Sequence, residues 1–311
     1  MFRRTPRLFA ATLAVAALAL GACAEKTTDT PAASGGPTGG AFPVTVGSLT
    51  LEQRPEKIVS LSATATEMLY AVGAGPQVIA VDDQSNYPAD APKTDLSGYQ
   101  PNAEAIAAKD PDLVVLSDDR NKIVDQLGAL KIPVYLTPAA QTLDDSYRQI
   151  TELGTLTGNA TAGADVVQRM KDDIAKITAE VPQRVQAPTY FHELGPELYT
   201  ATSKTFIGSI YTLAGLENIA DAADADGKSG GYPQLSQEVI VEANPDFVFL
   251  SDVKCCQQSA ATVKARSGWS GIDAVRNEQI VELDDDIASR WGPRVVDLLR
   301  TIVDATAKAG E

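Results

Sequence analysis

Short apolar runs alternate with longer stretches of helical spacing along most of this chain. Ile58-Val59-Ser60-Leu61, Val78-Ile79-Ala80-Val81, Leu113-Val114-Val115-Leu116 and Pro133-Val134-Tyr135-Leu136 have the nearly continuous apolar character of strands covered on both faces. Residues 65–72 and 122–130, lying between them, carry helical periodicity. The strand signal returns at 189–192, 247–250 and 279–283. Strands separated by helices predict an α/β chain with parallel, doubly wound sheets of the Rossmann-like kind.

The chain also matches itself. Glu104-Ala105-Ile106 followed by Pro111-Asp112-Leu113-Val114-Val115-Leu116-Ser117-Asp118 recurs as Glu238-Val239-Ile240 followed by Pro245-Asp246-Phe247-Val248-Phe249-Leu250-Ser251-Asp252, always 134 positions on. One shared offset across both blocks predicts two related lobes. Between them, Val166, Val167, Met170, Ile174, Ile177 and Val181 fall on one helical face. A helix of about 20 residues at ~1.5 Å each is a rod of roughly 30 Å. The expected organisation is an N-terminal lobe over 43–158, one long rigid linking helix over 159–182 and a C-terminal lobe over 183–311. A ligand cleft is expected between the lobes.

The first residues read as an export signal. Arg3, Arg4 and Arg7 precede an apolar stretch, 8–20, that is short for a membrane-spanning helix of roughly 20 residues. It ends in Leu20-Gly21-Ala22-Cys23, which resembles a bacterial lipobox with Cys23 as the lipid-bearing residue. Residues 1–22 are then a lipoprotein signal peptide. Residues 23–42, rich in Thr, Pro, Ala, Ser and Gly, are a flexible tether that cannot bury enough surface to order itself. The expected location is the outer face of the cell membrane, held through the lipid alone.

Loss of that leader removes three arginines and no acid, so the formal charge moves from −15 to −18. An acidic body argues against nucleic acid or anionic lipid as a partner. Three cysteines are too few for a disulfide framework. Apart from Cys23 they are the adjacent Cys255 and Cys256, which in an oxidising compartment can close a vicinal disulfide or remain a reduced pair. One histidine, His192, excludes a polyhistidine metal site, and no bound metal or cofactor is expected. No His-Glu-x-x-His or P-loop motif is present, and Gly73-Ala74-Gly75-Pro76 lacks the third glycine of a dinucleotide loop. The chain does not read as an enzyme.

Several ordered segments carry a family resemblance: Ile58-Val59-Ser60-Leu61-Ser62 with Thr66-Glu67, Ser85-Asn86-Tyr87-Pro88, Asn102-Ala103-Glu104, Tyr232-Pro233-Gln234-Leu235-Ser236 and Ser289-Arg290-Trp291-Gly292-Pro293-Arg294. Over nearly all of 43–307 the chain resembles the cobalamin and ferric-siderophore binding proteins of ABC importers. The resemblance implies two lobes bridged by a helix, a corrinoid or ferric siderophore held between them, and delivery to a dimeric permease. It also implies one permease-docking glutamate per lobe, by position Glu104 and Glu238.

Ligands of open α/β sheets sit beyond the carboxyl ends of the strands. Aromatic residues are 6% of the chain, yet Tyr87, Tyr99, Tyr199, Tyr232 and Trp291 fall on the corresponding loops. Such rings bury a large ligand while their polar tips bond its rim. Tyr99 and Tyr232 occupy positions where the resembled family often carries a corrinoid-clamping tryptophan. Arg290 is the basic residue which that resemblance turns toward the ligand, and Arg294 has a structural partner. Two other readings stay open: a haem-binding protein using His192 or a tyrosine as axial ligand, and a surface lipoprotein with no transport role.

Overall fold

The computed structural model describes residues 42–308; the signal segment, Cys23 and the tether up to residue 41 lie outside the described residues. A small antiparallel hairpin, β1 (Val44–Val46) and β2 (Leu49–Leu51), precedes the first sheet. That sheet contains β3 (Ile58–Leu61), β4 (Val78–Val81), β5 (Leu113–Leu116) and β6 (Val134–Leu136). The second contains β7 (Thr189–Glu193), β8 (Glu217–Asn218), β9 (Phe247–Leu250) and β10 (Ile280–Glu282). All pairings within both sheets are parallel.

The spatial orders are β4-β3-β5-β6 and β10-β9-β7-β8. Numbered within each lobe, the first reads second, first, third, fourth, and the second reads fourth, third, first, second, which is the same order taken from the other edge. The self-match of the sequence is thus a repeat of topology, with β5 and β9 as its third strands. Both are wholly buried, as an uninterrupted apolar run between helical layers must be. The reversal of strand order falls between β3 and β5 in one lobe and between β7 and β9 in the other, the place where open sheets leave a crevice.

The linking helix spans Ala160–Ala179 and buries Val166, Met170, Ile174 and Ile177. Val167 and Val181 are only partly buried against the same core. A continuous apolar layer runs through Met68 and Leu69 of the first lobe, this helix, Tyr190 and Tyr211 of the second lobe, and the terminal helix Val295–Lys308. Separate clusters lie on the outer face of each sheet, around Ile106 and Leu127 in one and Ile240 and Trp269 in the other. Among the described residues no helix is long and apolar enough to cross a membrane.

Candidate ligand cleft

At the carboxyl end of β3 the chain turns at Ser62, whose hydroxyl caps the helix Ala63–Ala71 by accepting from Ala65 N at 3.3 Å. The loop carrying Tyr99 crosses directly above this point. A Cβ at Gly98 would lie 2.7 Å from Leu61 O and 2.9 Å from an Asp82 carboxylate oxygen, so only glycine admits the approach. These elements open a cavity of about 550 Å³. Its walls come from the loops after β3, β4, β5 and β6, completed by Ser289, Arg290 and Trp291.

Tyr99 is 65% exposed and lines the cleft. The Arg120 guanidinium lies 5.2 Å from its centroid and pairs with Asp118 at 3.1 Å. Asp82 is buried in the floor, and burial raises its carboxyl above the usual range, partly offset by the hydrogen bond from Ser85. Ser62, Thr64, Ser117 and Ser289 also line the cavity, with the Ser62 hydroxyl engaged as the helix cap and the Ser289 hydroxyl donating to Asp285 O at 2.7 Å.

Arg290 borders this cavity but is not free for a ligand. It is 9% exposed and donates to Glu67 (2.8 Å), Asn86 Oδ1 (3.0 Å), Gln84 O (3.0 Å) and Asp286 (2.8 Å). Arg294 also bonds Glu67, through Nε at 2.9 Å and through Nη2. Trp291 lines the cavity while its indole N–H donates to Gln149 at 2.9 Å.

Tyr87 stands apart from Tyr99. It borders a neighbouring hollow of about 380 Å³ with Tyr70 and Pro88, and Arg294 covers its ring at 4.2 Å. Tyr199 and Tyr232 are half exposed on the second lobe and do not line the 550 Å³ cavity. The loop bearing Tyr232 is tied down by buried Asp224, which accepts from Ser229 N at 2.7 Å and Gly231 N at 2.6 Å.

The second lobe fills the position that the first leaves open. Strand register sets Glu193 beside Leu250, as Leu61 sits beside Leu116. Glu193 is fully buried and clamped by both Arg266 nitrogens at 2.6 Å, with Arg266 lying 4.6 Å from the Trp269 ring centroid. Asp252, the repeat partner of Asp118, is fully buried, and neither of its oxygens has a hydrogen-bond partner among the described residues. Burial, then the charge of Glu193, pushes its carboxyl up to about 7.

His192 lies inside the second lobe. It is completely buried, its Nδ1 is 2.8 Å from Tyr211 Oη, and burial depresses its pKa to about 4. The expectation that it could serve as an axial ligand fails on this placement: it occupies the strand interior, with Tyr190, inside the lobe's own core and away from the cavity.

Cys255 and Cys256 end the short helix Val253–Cys256, exposed, with their sulfurs paired in the geometry of a vicinal disulfide. Asp285 accepts from the backbone N–H groups of Val253, Lys254 and Cys255 at 3.0, 2.9 and 3.0 Å, docking that helix against the turn Asp285–Ala288. Glu104 and Glu238 are exposed in the first turns of the helices Ala103–Ala107 and Gln237–Ala243. Each follows an N-cap two residues earlier, Asn102 or Ser236. The helix-start amide and the Ser236 hydroxyl hold Glu238 below its ordinary pKa.

Sequence reasoning missed Glu67, Asp82 and the Glu193–Arg266–Asp252 group as determinants of the two walls. Glu67 did carry a signal, being the one charge in the otherwise neutral stretch 63–72.

This two-lobed architecture has direct relatives. A family model described as "Periplasmic binding protein" matches residues 58–287. An "Uncharacterized ABC transporter substrate-binding lipoprotein" of Bacillus subtilis is 30% identical, covering 82% of this chain and 83% of that protein. A "Cobalamin-binding protein" of Halobacterium salinarum is 33% identical, covering 83% and 71%. The crystal structure of a possible iron-binding (periplasmic solute-binding) protein from Staphylococcus epidermidis superimposes with a TM-score of 0.70 at 28% identity, covering 82% of this chain and 99% of that one. The chain belongs to the periplasmic binding protein family and is a solute-binding protein, not an enzyme.

Proposed function

We propose that this protein is a lipid-anchored, extracytoplasmic binding protein that captures a corrinoid and hands it to an ABC permease. The observation that carries the choice of ligand is the charge state of the cavity wall. Arg290 is committed to Glu67 and Asp286, and Arg120 to Asp118. Each cation therefore already has its carboxylate, and Asp82 adds an acid in the floor. An anionic ferric catecholate or a haem propionate would enter without an unpaired cation to offset its desolvation. A corrinoid rim presents neutral amides, which suit the hydroxyls of Thr64 and Ser117, while Tyr99 supplies a stacking face. The cobalamin-binding name of the archaeal relative supports the same choice.

Cys23 carries the lipid, consistent with the apolar leader and with a relative named as a lipoprotein. Glu104 and Glu238 dock on the permease. Their matching positions in two topologically equal lobes suit a two-fold partner. Cys255 and Cys256 form a cystine that stiffens the loop after β9.

The test uses purified protein with cyanocobalamin, a ferric hydroxamate, a ferric catecholate and haem, each offered separately. Cyanocobalamin is expected to co-elute with the protein by its visible bands and to raise the melting temperature. At a ligand concentration about 100 times Kd the stabilisation is about 2.7 kcal/mol. Co-elution of a ferric chelate or haem, with no response to cyanocobalamin, defeats the corrinoid assignment.

A further inference from the structure

The segment 286–294 arrives from β10 of the second lobe, yet most of its side-chain hydrogen bonds are made to the first. Arg290 bonds Glu67, the Gln84 carbonyl and Asn86; Asn86 in turn donates to Asp286 at 3.0 Å. Ser146 donates to the Trp291 carbonyl at 2.5 Å, and Trp291 donates to Gln149. Three separate parts of the first lobe thus grip one strap: the helix Ala63–Ala71, the loop at 84–86 and the helix Leu143–Leu156.

Glu67 is the centre of that grip. It is 4% exposed, and its two oxygens receive three guanidinium N–H groups from Arg290 and Arg294. It does not line the 550 Å³ cavity, whereas Ser289, Arg290 and Trp291 do. Those three are also the only lining residues from beyond the linking helix. Removing the carboxylate's charge would leave two neighbouring guanidiniums facing each other with less compensation in a buried place, a severe local cost.

We propose that Glu67 is a positioning residue for ligand. Without touching the ligand it fastens the Ser289–Arg290–Trp291 wall to the first lobe, so the cavity is complete within one body before the second lobe covers it. This rests on the reading of the cavity as the ligand site. It implies that Arg290 serves as a strut of the cavity and not as a counter-ion for its occupant.

Trp269 and Trp291 are the two tryptophans of the chain, and Trp269 is buried in the second-lobe core. In a Trp269→Phe background, Trp291 reports on the wall directly. Glu67→Gln in that background is expected to weaken cyanocobalamin binding by about tenfold or more. In the free protein it is expected to red-shift Trp291 emission and raise its quenching by acrylamide. Val263→Ala, a core truncation in the second lobe, supplies a comparison with lowered stability; its affinity and Trp291 signal should match the parent.

Affinity within about twofold of the parent in Glu67→Gln overturns the proposal, as does an equal loss in Val263→Ala. If the parent itself does not bind cyanocobalamin, the corrinoid reading falls, and the positioning role is then judged on the ligand-free signal: unchanged Trp291 emission and quenching refutes it. Should Glu67→Gln fail to fold, Arg294→Lys is read by the same criteria, because lysine keeps the charge but loses the two-pronged bond to Glu67.

Discussion

Asp252→Asn probes whether the second-lobe wall is a sealed polar knot instead of a ligand surface. Asp252 is fully buried beside Glu193, with both oxygens unpartnered among the described residues, and its pKa is pushed up to about 7, first by burial and then by the Glu193 charge. In the unfolded chain it titrates near ~3.9. An acid whose pKa rises on folding contributes its full stability only below the unfolded value and loses it as pH climbs through the folded one. The cost therefore accumulates between about pH 4 and pH 7. A shift of about three units corresponds to a ceiling of about 4 kcal/mol. The lowering by Arg266 is already contained in that value; relaxation of the site around the buried charge reduces the realised cost to about 1–2 kcal/mol at about pH 8. Asparagine mimics the protonated form, so the variant should be more stable than the parent by that amount at pH 8. At about pH 4.5 it should lie within about 0.5 kcal/mol of the parent. His192 acts in the opposite sense: its pKa falls to about 4 on burial, so its contribution is present above about pH 6.5 and lost as pH drops toward 4. Both chains carry it, and it cancels in the difference. Urea unfolding at about pH 4.5, 6 and 8, followed by circular dichroism, measures the effect. An advantage independent of pH, or a less stable variant at pH 8, refutes the reasoning.

Two other outcomes follow from exposed groups. Glu104→Ala combined with Glu238→Ala should abolish ligand uptake by cells while leaving affinity within about twofold, since neither residue borders the cavity; a loss of ligand binding in the double variant contradicts the docking role. In a Cys23→Ser chain, thiol labelling before reduction should detect no reactive group and after reduction two, from Cys255 and Cys256; two free thiols in the unreduced protein exclude the cystine.

Much of the scaffold was legible because its signals are local. Buried parallel strands must be apolar on both faces, so β3, β4, β5 and β9 announce themselves in four-residue runs. The hairpin of β1 and β2 and the two-residue β8 are too short to do so. Tyr99 was legible as a cleft residue because it falls on the connection between β4 and the helix Ala103–Ala107. The fate of Arg290 was not, because its partner Glu67 lies 223 residues away and no spacing rule links them. His192 illustrates the same gap. Thr189-Tyr190-Phe191-His192-Glu193 reads as a strand leading to an exposed polar end, but the strand continues through both polar residues and buries them.

The repeat explains why the two walls could diverge so far. Topology, strand register and the capped helices bearing Glu104 and Glu238 are shared between lobes. The inward positions are not: Leu61 and Asp118 border an open cavity, while Glu193 and Asp252 sit buried in the second lobe with Arg266 clamped to Glu193. A permease with two-fold symmetry rewards equal groups on the outer faces. The proposed corrinoid ligand has no such axis, so it does not require the inner faces to be alike. One lobe can then supply a recess, completed by the strap that Glu67 secures, and the other a cover built around the buried Glu193–Arg266 pair. Specificity in such a design is written mainly into the first lobe and residues 289–291, which is where substitutions that change the ligand should concentrate.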